Sequence, residues 1–155
     1  MIIIRDTREK IGYWDFSCYS QCEGQLVECV KAGDYTIQGM EHLIRIERKR
    51  NSAELANNTG KEWDRFKREF EKLKDIPHKY CICEFTLDTL LDFPKKSGLP
   101  WKIITKIRMN GKFILHRCNQ LEEISGVKFI FCENKEEAEQ TAVELLYDVY
   151  IKNKN

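Results

Sequence analysis

The segment Leu43-Ile44-Arg45-Ile46-Glu47-Arg48-Lys49 constrains this chain more than any other. As an extended strand it projects Ile44, Ile46 and Arg48 to one face and Leu43, Arg45, Glu47 and Lys49 to the other, so Glu47 and Lys49 share a side opposite Arg48. Asp34 stands in Gly33-Asp34-Tyr35, just before another β-prone piece, Tyr35-Gln38. A hairpin between the two strands carries the Asp34 carboxylate towards Glu47 if the register is right. Two converging carboxylates hold a hard divalent cation, and a lysine beside them meets the charge of a reacting phosphate. The constellation therefore reads as metal-dependent phosphodiester cleavage.

Around this hairpin the chain alternates strand and helix signals. Met1-Ile4 is a β-branched run that ends in Arg5-Asp6-Thr7-Arg8-Glu9-Lys10, and residues 1–5 are read as a first strand. Residues 11–25 lack a clean period and are expected to cross the sheet as a loop or broken helix. Leu26-Lys31, Tyr35-Gln38 and Leu43-Lys49, separated by turn-like Ala32-Gly33-Asp34 and Gly39-Met40-Glu41-His42, predict a meander. Ser52 reads as the N-cap of a short helix broken at Asn57-Asn58-Thr59-Gly60. Trp63, Phe66, Phe70 and Leu73 recur at helical spacing before Pro77.

Tyr80-Phe85 predicts a buried strand, and Thr86 caps a helical turn at Leu87-Leu91. A helical region follows from Trp101 to Ser125, split near Asn110-Gly111. Val127-Cys132 is the last strand. Asn134 and Glu137 form an N-terminal box for a final helix with the stripe Ala138, Ala142, Leu145, Leu146 and Val149. This order predicts an α/β sandwich with a mixed central sheet flanked by helices. No internal repeat or linker divides it, so residues 1–155 are expected to form a single domain.

Composition narrows the setting. A chain of 155 residues with 42% apolar content suits one closed core. The N-terminal run meets Arg5 and Asp6 at once, which predicts no secretory leader, reduced thiols at the seven cysteines and a cytoplasmic location, or a nuclear one in a eukaryote. No uncharged run is long enough to cross a bilayer. With 26 Lys and Arg against 25 Asp and Glu, net charge leaves the partner undecided, since opposite charges can segregate onto different faces.

Asp6-Thr7-Arg8-Glu9 after an apolar strand, then Gly33-Asp34-Tyr35, then Glu47-Arg48-Lys49, resembles the nuclease domain of the XPF family of structure-specific endonucleases, within the restriction-endonuclease-like superfamily. The resemblance extends over almost the whole chain. It implies a restriction-endonuclease-like fold, Mg²⁺ or Mn²⁺ at Asp34 and Glu47 with the Arg48 backbone carbonyl, a DNA substrate that is branched or flapped, and a homodimer. Two departures accompany it. The aspartate expected near position 53 is replaced by Ala53, with Glu54 the nearest acid, and the chain does not continue into the helix-hairpin-helix or helicase modules of cellular relatives. Substrate choice then falls to the nuclease surface, a dimer or a protein partner. A free-standing unit of this kind suits a phage or mobile element.

The candidate catalytic set is thus Asp6, Glu9, Asp34, Glu47, Arg48 and Lys49. Lys49 orients the attacking water or stabilises the developing charge. Asp6 completes an outer metal shell or binds a second ion. Glu9 fixes the orientation of Arg8 and Lys10, which hold a DNA phosphate, and Arg48 is expected to pair with Glu9 or another acid. Arg50 and the basic stretch Lys95, Lys96, Lys102, Lys106, Arg108 and Lys112 are further candidates for the DNA backbone. Each assignment has a plainer rival: a turn aspartate, a solvated strand end, a solvated helix face. Cys18 and Cys22, or Cys81 and Cys83, are read as buried thiols rather than zinc ligands, and Trp63, Phe66 and Phe70 as core rather than base-stacking residues. The competing functions are a non-catalytic DNA-binding or nuclease-regulating module of the same fold, a Holliday-junction resolvase, and a nuclease acting on RNA.

Overall fold

The apolar run at the start of the chain forms β1 (Ile2–Asp6), whose Ile3 and Ile4 are buried within a six-stranded sheet. The computed structural model describes residues 1–154. The other strands are β2 (Gly24–Glu28), β3 (Tyr35–Ile37), β4 (Ile44–Lys49), β5 (His78–Cys83) and β6 (Lys128–Phe131), in the spatial order β2-β1-β3-β4-β5-β6. β3 runs antiparallel to both β1 and β4, whereas β2, β5 and β6 lie parallel to their inner neighbours. The sheet is mixed, as the element order predicts.

The expected meander holds only for β3 and β4. Between β1 and β2 the chain crosses one face of the sheet, burying Trp14 and Phe16 around a 3-10 turn at Phe16–Cys18. It returns to the opposite edge of β1, so β2 runs parallel to it, with Gly24 beside Ile2, instead of forming a hairpin from Leu26 onwards. β5 likewise begins at His78 and ends at Cys83, two residues earlier than the apolar run suggests.

On the face crossed by that loop, α6 (Lys135–Asn153) packs Ala138, Ala142, Val143, Leu146 and Val149 into a core with Ile44, Ile46 and Ile82. Val143 takes the place expected of Leu145, which is half-buried. On the other face α1 (Ser52–Thr59), α2 (Trp63–Glu71), α3 (Leu87–Leu91) and α5 (Gly111–Ser125) enclose Leu55, Phe66, Phe70, Leu90, Ile114 and Leu121 against Cys81 and Cys83. α4 (Trp101–Ile104) is a short surface turn, so the region read as helical from 101 to 125 is divided at Asn110, whose side chain caps α5. Gly111 follows because a Cβ there would lie 2.1 Å from the Leu90 carbonyl oxygen, where α5 meets the backbone of α3.

Helix starts follow side-chain chemistry. Asn51, not Ser52, caps α1: its Oδ1 accepts the Glu54 N–H at 2.9 Å while its own backbone is still extended. Ser52 is already helical and buried, with no hydrogen-bond partner for Oγ among the described residues. α1 runs on through Asn57 and Asn58 to Thr59, whose hydroxyl donates to the Leu55 carbonyl, and ends at Gly60. Thr86 and Asn134 cap α3 and α6 as expected. No helix among the described residues is long and apolar enough to cross a membrane.

Candidate active site

The β3–β4 pairing sets the site. Tyr35 lies opposite Ile46, so the next step outward brings Asp34 beside Glu47. Asp34 is held from three directions. Its N–H donates to the Ile46 carbonyl at 2.8 Å, its own carbonyl accepts the Asp6 N–H at 2.7 Å, and Oδ2 accepts the Arg48 N–H at 2.7 Å. Gly33 makes this approach possible: it has φ +83°, and a Cβ there would meet the Ile46 carbonyl oxygen and the Arg45 side chain at 3.4 Å.

Glu47 and Lys49 project to the same face, as alternation requires. Lys49 Nζ is 2.8 Å from Glu47 Oε1 and 3.9 Å from Glu54 Oε1, and it lies 5.0 Å from the centre of the Phe66 ring. Burial disfavours the Lys49 ammonium, but the surrounding carboxylates, Glu47 first, outweigh that cost and hold it charged. Asp34 is pushed well above the usual carboxylate range, first by burial and then by the Glu47 charge, with Lys49 and the Arg48 amide acting the other way. Glu54 stands in the first turn of α1, where Oε2 accepts the Arg50 N–H at 3.0 Å.

A cavity of about 300 Å³ opens over Asp34 and Glu47, lined also by Arg8, Gly33 and, from α2, Arg65 and Glu69. A second cavity of about 310 Å³ is lined by Arg8, Glu9, Lys10, Ile11, Arg50 and Glu54. Arg8 borders both. Arg65 and Glu69 went unrecognised in the sequence, although their i, i+4 spacing on the polar side of α2 is a usable signal once that helix is known to flank the strand end.

On the opposite face, Arg48 is buried between two acids. Its Nε donates to Glu84 Oε1 at 2.7 Å and its guanidinium also reaches Glu9 and the Ile11 carbonyl. Glu84 Oε1 further accepts Trp14 Nε1–H at 2.7 Å, and the Trp14 N–H donates to the Tyr35 hydroxyl at 2.9 Å. Burial raises the Glu9 carboxyl and Arg48 offsets part of that rise. The pairing of Arg48 with Glu9 expected from strand alternation is present, but the Glu9 carboxylate is thereby engaged on Arg48, and Arg8 is oriented by Asp6 rather than by Glu9 as expected. Glu84 and Trp14 carried no recognisable signal.

Asp6 is fully buried. Oδ1 accepts the Arg8 N–H at 2.9 Å and Nε–H at 2.6 Å, and Oδ2 accepts the Val30 N–H at 2.7 Å. Burial alone would raise its pKa, but the Arg8 and Val30 donors together bring it below the usual range. These contacts tie the loop after β1 to the segment after β2. Lys95 and Lys96 lie in the connection between α3 and α4 and line neither cavity; Lys96 pairs with Asp92 at 2.9 Å. Among the described residues no three His, Cys, Asp or Glu side chains converge as a metal cluster, and the seven cysteines are free thiols; Cys81 and Cys83 are buried as expected, whereas Cys18 is exposed and Cys22 half-buried, because both lie in the loop that crosses the sheet.

No protein-family model matches the chain, and no curated protein matches it. Among solved structures the chain is similar to XPF from Aeropyrum pernix, with a TM-score of 0.69 at 13% identity over 100% of this chain and 63% of that one. It is also similar to XPF from Aeropyrum pernix in complex with DNA, with a TM-score of 0.64 at 15% identity over 97% of this chain and 65% of the other. It therefore spans less than two thirds of the length of those chains. The fold is the XPF-like α/β sandwich that the order of the motifs predicts.

Proposed function

We propose that this chain is a divalent-metal-dependent DNA endonuclease that hydrolyses phosphodiester bonds in branched, flapped or otherwise distorted DNA. The observation that carries this reading is the charge imbalance at one strand end. The Lys49 ammonium faces the carboxylates of Glu47 and Glu54, and Asp34 sits close enough to Glu47 for their charges to oppose each other. A bound cation relieves that opposition.

The donor set fits a small hard ion. Asp34 and Glu47 would hold it, with the Arg48 carbonyl added on the strength of the family resemblance. Mg²⁺ is commonly bound through one or two carboxylates while keeping several waters, and Mn²⁺ accepts the same oxygens. When bound, the ion lowers the pKa of a coordinated water and neutralises charge on the phosphate. Lys49, held charged, serves as a fixed electrostatic donor to the attacking water or the developing oxyanion, a role for which loss of one preorganised donor costs an enzyme about 3 kcal/mol. It is unsuited to act as a general base. Arg8, Lys10, Arg50 and Arg65, around the two cavities, would meet neighbouring phosphates. Asp6, with both oxygens engaged, acts through the placement of Arg8 rather than as a ligand. The DNA complex of a protein with this fold supports DNA as the partner. Self-association through the exposed end of α6, beside Ile151 and the stacked Tyr147 and Tyr150, belongs to the same reading and is open to sedimentation analysis.

The test is a panel of labelled duplex, flap, fork and four-way junction incubated with Mg²⁺ or EDTA. Cutting of a flap or fork in Mg²⁺ is expected, and it should disappear in EDTA and in Asp34→Asn and Glu47→Gln. Retardation without cutting would instead identify a binding module. Near-normal turnover in both variants would reject the assignment.

A further inference from the structure

The connection between α3 and α5 has a composition of its own. No carboxylate occurs between Asp92 and Glu122, a stretch that holds seven Lys and Arg residues, five in the connection and Lys112 and Arg117 on α5, in a chain whose formal net charge is +1. The remainder of the chain is therefore net negative, and positive charge is concentrated in this one lobe. Lys95, Lys96, Lys102, Lys106, Arg108 and Lys112 are all exposed. Trp101 stands among them, 71% exposed on α4, a helix that contributes no buried residue to either core. Trp14, by contrast, is fully buried, and Trp63 is half-buried with the Arg117 guanidinium 4.4 Å from its ring centre.

A single exposed apolar side chain needs no partner, but Trp101 shares its short helix with Ile103, 47% exposed, and apolar groups gathered on one surface element mark an interaction site. Beside this lobe an apolar groove of about 230 Å³ is lined by Ala53 and Ala56 of α1 and by Phe93, Leu99, Ile107 and Met109. Ala53 adjoins Glu54, so the groove begins within one helical turn of the Lys49 end of the candidate active site.

We propose that this lobe is a second nucleic-acid site, a platform for single-stranded DNA on which an unpaired base stacks against Trp101 while the surrounding lysines hold the phosphates. Charge complementarity selects a polyanion. The exposed ring selects unpaired bases over duplex, because bases in a duplex already stack on one another. A second copy of this chain is a poorer occupant, since a two-fold contact here would set the same basic patch against itself. The platform would grip the displaced strand of a branched substrate as it leaves the cavity over Asp34. The proposal rests on the reading of this chain as a DNA-acting protein but not on hydrolysis.

The experiment is tryptophan fluorescence and anisotropy titration of the full chain in EDTA with an oligothymidylate of about twelve nucleotides, a length within the range such platforms cover, and with a blunt duplex of equal length. Quenching and tighter binding by the single strand are expected. Trp101→Ala should weaken that binding about tenfold and remove most of the quench, with Trp101→Phe restoring most of the affinity. Lys102→Glu with Lys106→Glu should weaken binding further and flatten its salt dependence. Unchanged affinity in Trp101→Ala, or preference for the duplex, overturns the proposal. So does loss of self-association, with DNA binding intact, in either variant, which would mark the lobe as a protein interface. A wild-type chain that binds the oligomer through Trp101 but cuts nothing in Mg²⁺ would sink the hydrolytic reading and leave this one standing.

Discussion

The two faces of β4 carry adjacent cations in opposite circumstances. On one face Arg48 is enclosed by Glu9 and Glu84, with Trp14 and the Ile11 carbonyl completing a closed network. On the other, Lys49 faces Glu47 and Glu54 behind the cavity that Asp34 and Glu47 line. The closed network fixes the loop that carries Arg8, Glu9 and Lys10. The open one keeps an excess of negative charge. Alternation along a strand lets three consecutive residues, Glu47-Arg48-Lys49, serve both purposes at once, and the Arg48 N–H joins the faces by donating to Asp34.

The largest stability loss is expected from the closed face. Arg48→Met leaves Glu9 and Glu84 without their cation in a buried setting and should cost about 3–5 kcal/mol, read from urea unfolding. Adding Glu9→Leu and Glu84→Gln should recover part of this, because removing every charge costs less than stranding two. Equal stability in Arg48→Met and wild type would dissolve the distinction between the faces. Lys49→Met is the counterpart on the open face. Glu47 and Glu54 remain partly solvated there, so its stability cost should be the smaller, while single-turnover cleavage should fall by about 3 kcal/mol, on the order of a hundredfold.

The same contrast explains what the sequence revealed. Asp34, Glu47 and Lys49 were legible because a glycine turn and a strict two-residue period place them, and both are local rules. The closed face was only half legible. Alternation put Arg48 opposite Lys49 and suggested Glu9, but Glu84 follows a parallel strand and Trp14 lies in an aperiodic crossing, so both meet Arg48 through contacts distant in sequence. The parallel placement of β2 was missed for the same reason, since nothing local distinguishes a hairpin return from a crossover. Arg65 and Glu69 were hidden because a solvated helix face and a cavity wall have the same composition.

Acidification should separate the faces further. The Asp34 carboxyl lies above its unfolded value because burial and Glu47 oppose its charge, so the folded protein binds this proton more tightly than the unfolded chain. Stability from this group therefore declines as pH rises from the unfolded pKa of about 4 through the raised folded value. In EDTA, Asp34→Asn should melt a few degrees above wild type at neutral pH, a difference that shrinks towards zero near pH 4. Cleavage should show the opposite slope. Protons compete with the cation at Asp34, so turnover should fall as pH drops, beginning above the ordinary carboxylate range. A pH–rate profile flat down to pH 4 would separate Asp34 from the chemistry.

The smallest effect concerns how firmly the open face is assembled. Asn51 ends the excursion from β4 and caps α1, and the amide it binds is that of Glu54, whose carboxylate approaches Lys49. Asn51→Ala should cost about 1 kcal/mol of stability. Because the first turn then frays, it should also slow cleavage a few-fold without altering the closed network around Arg48. Ser52→Ala is the control: the Ser52 hydroxyl is buried without a partner among the described residues, so its removal should leave stability unchanged or raise it slightly. Were Ser52→Ala the costlier change, the cap would belong to Ser52. The first turn of α1 would then shift by one residue, turning Glu54 away from Lys49 and leaving Glu47 and Asp34 as the open face's acids.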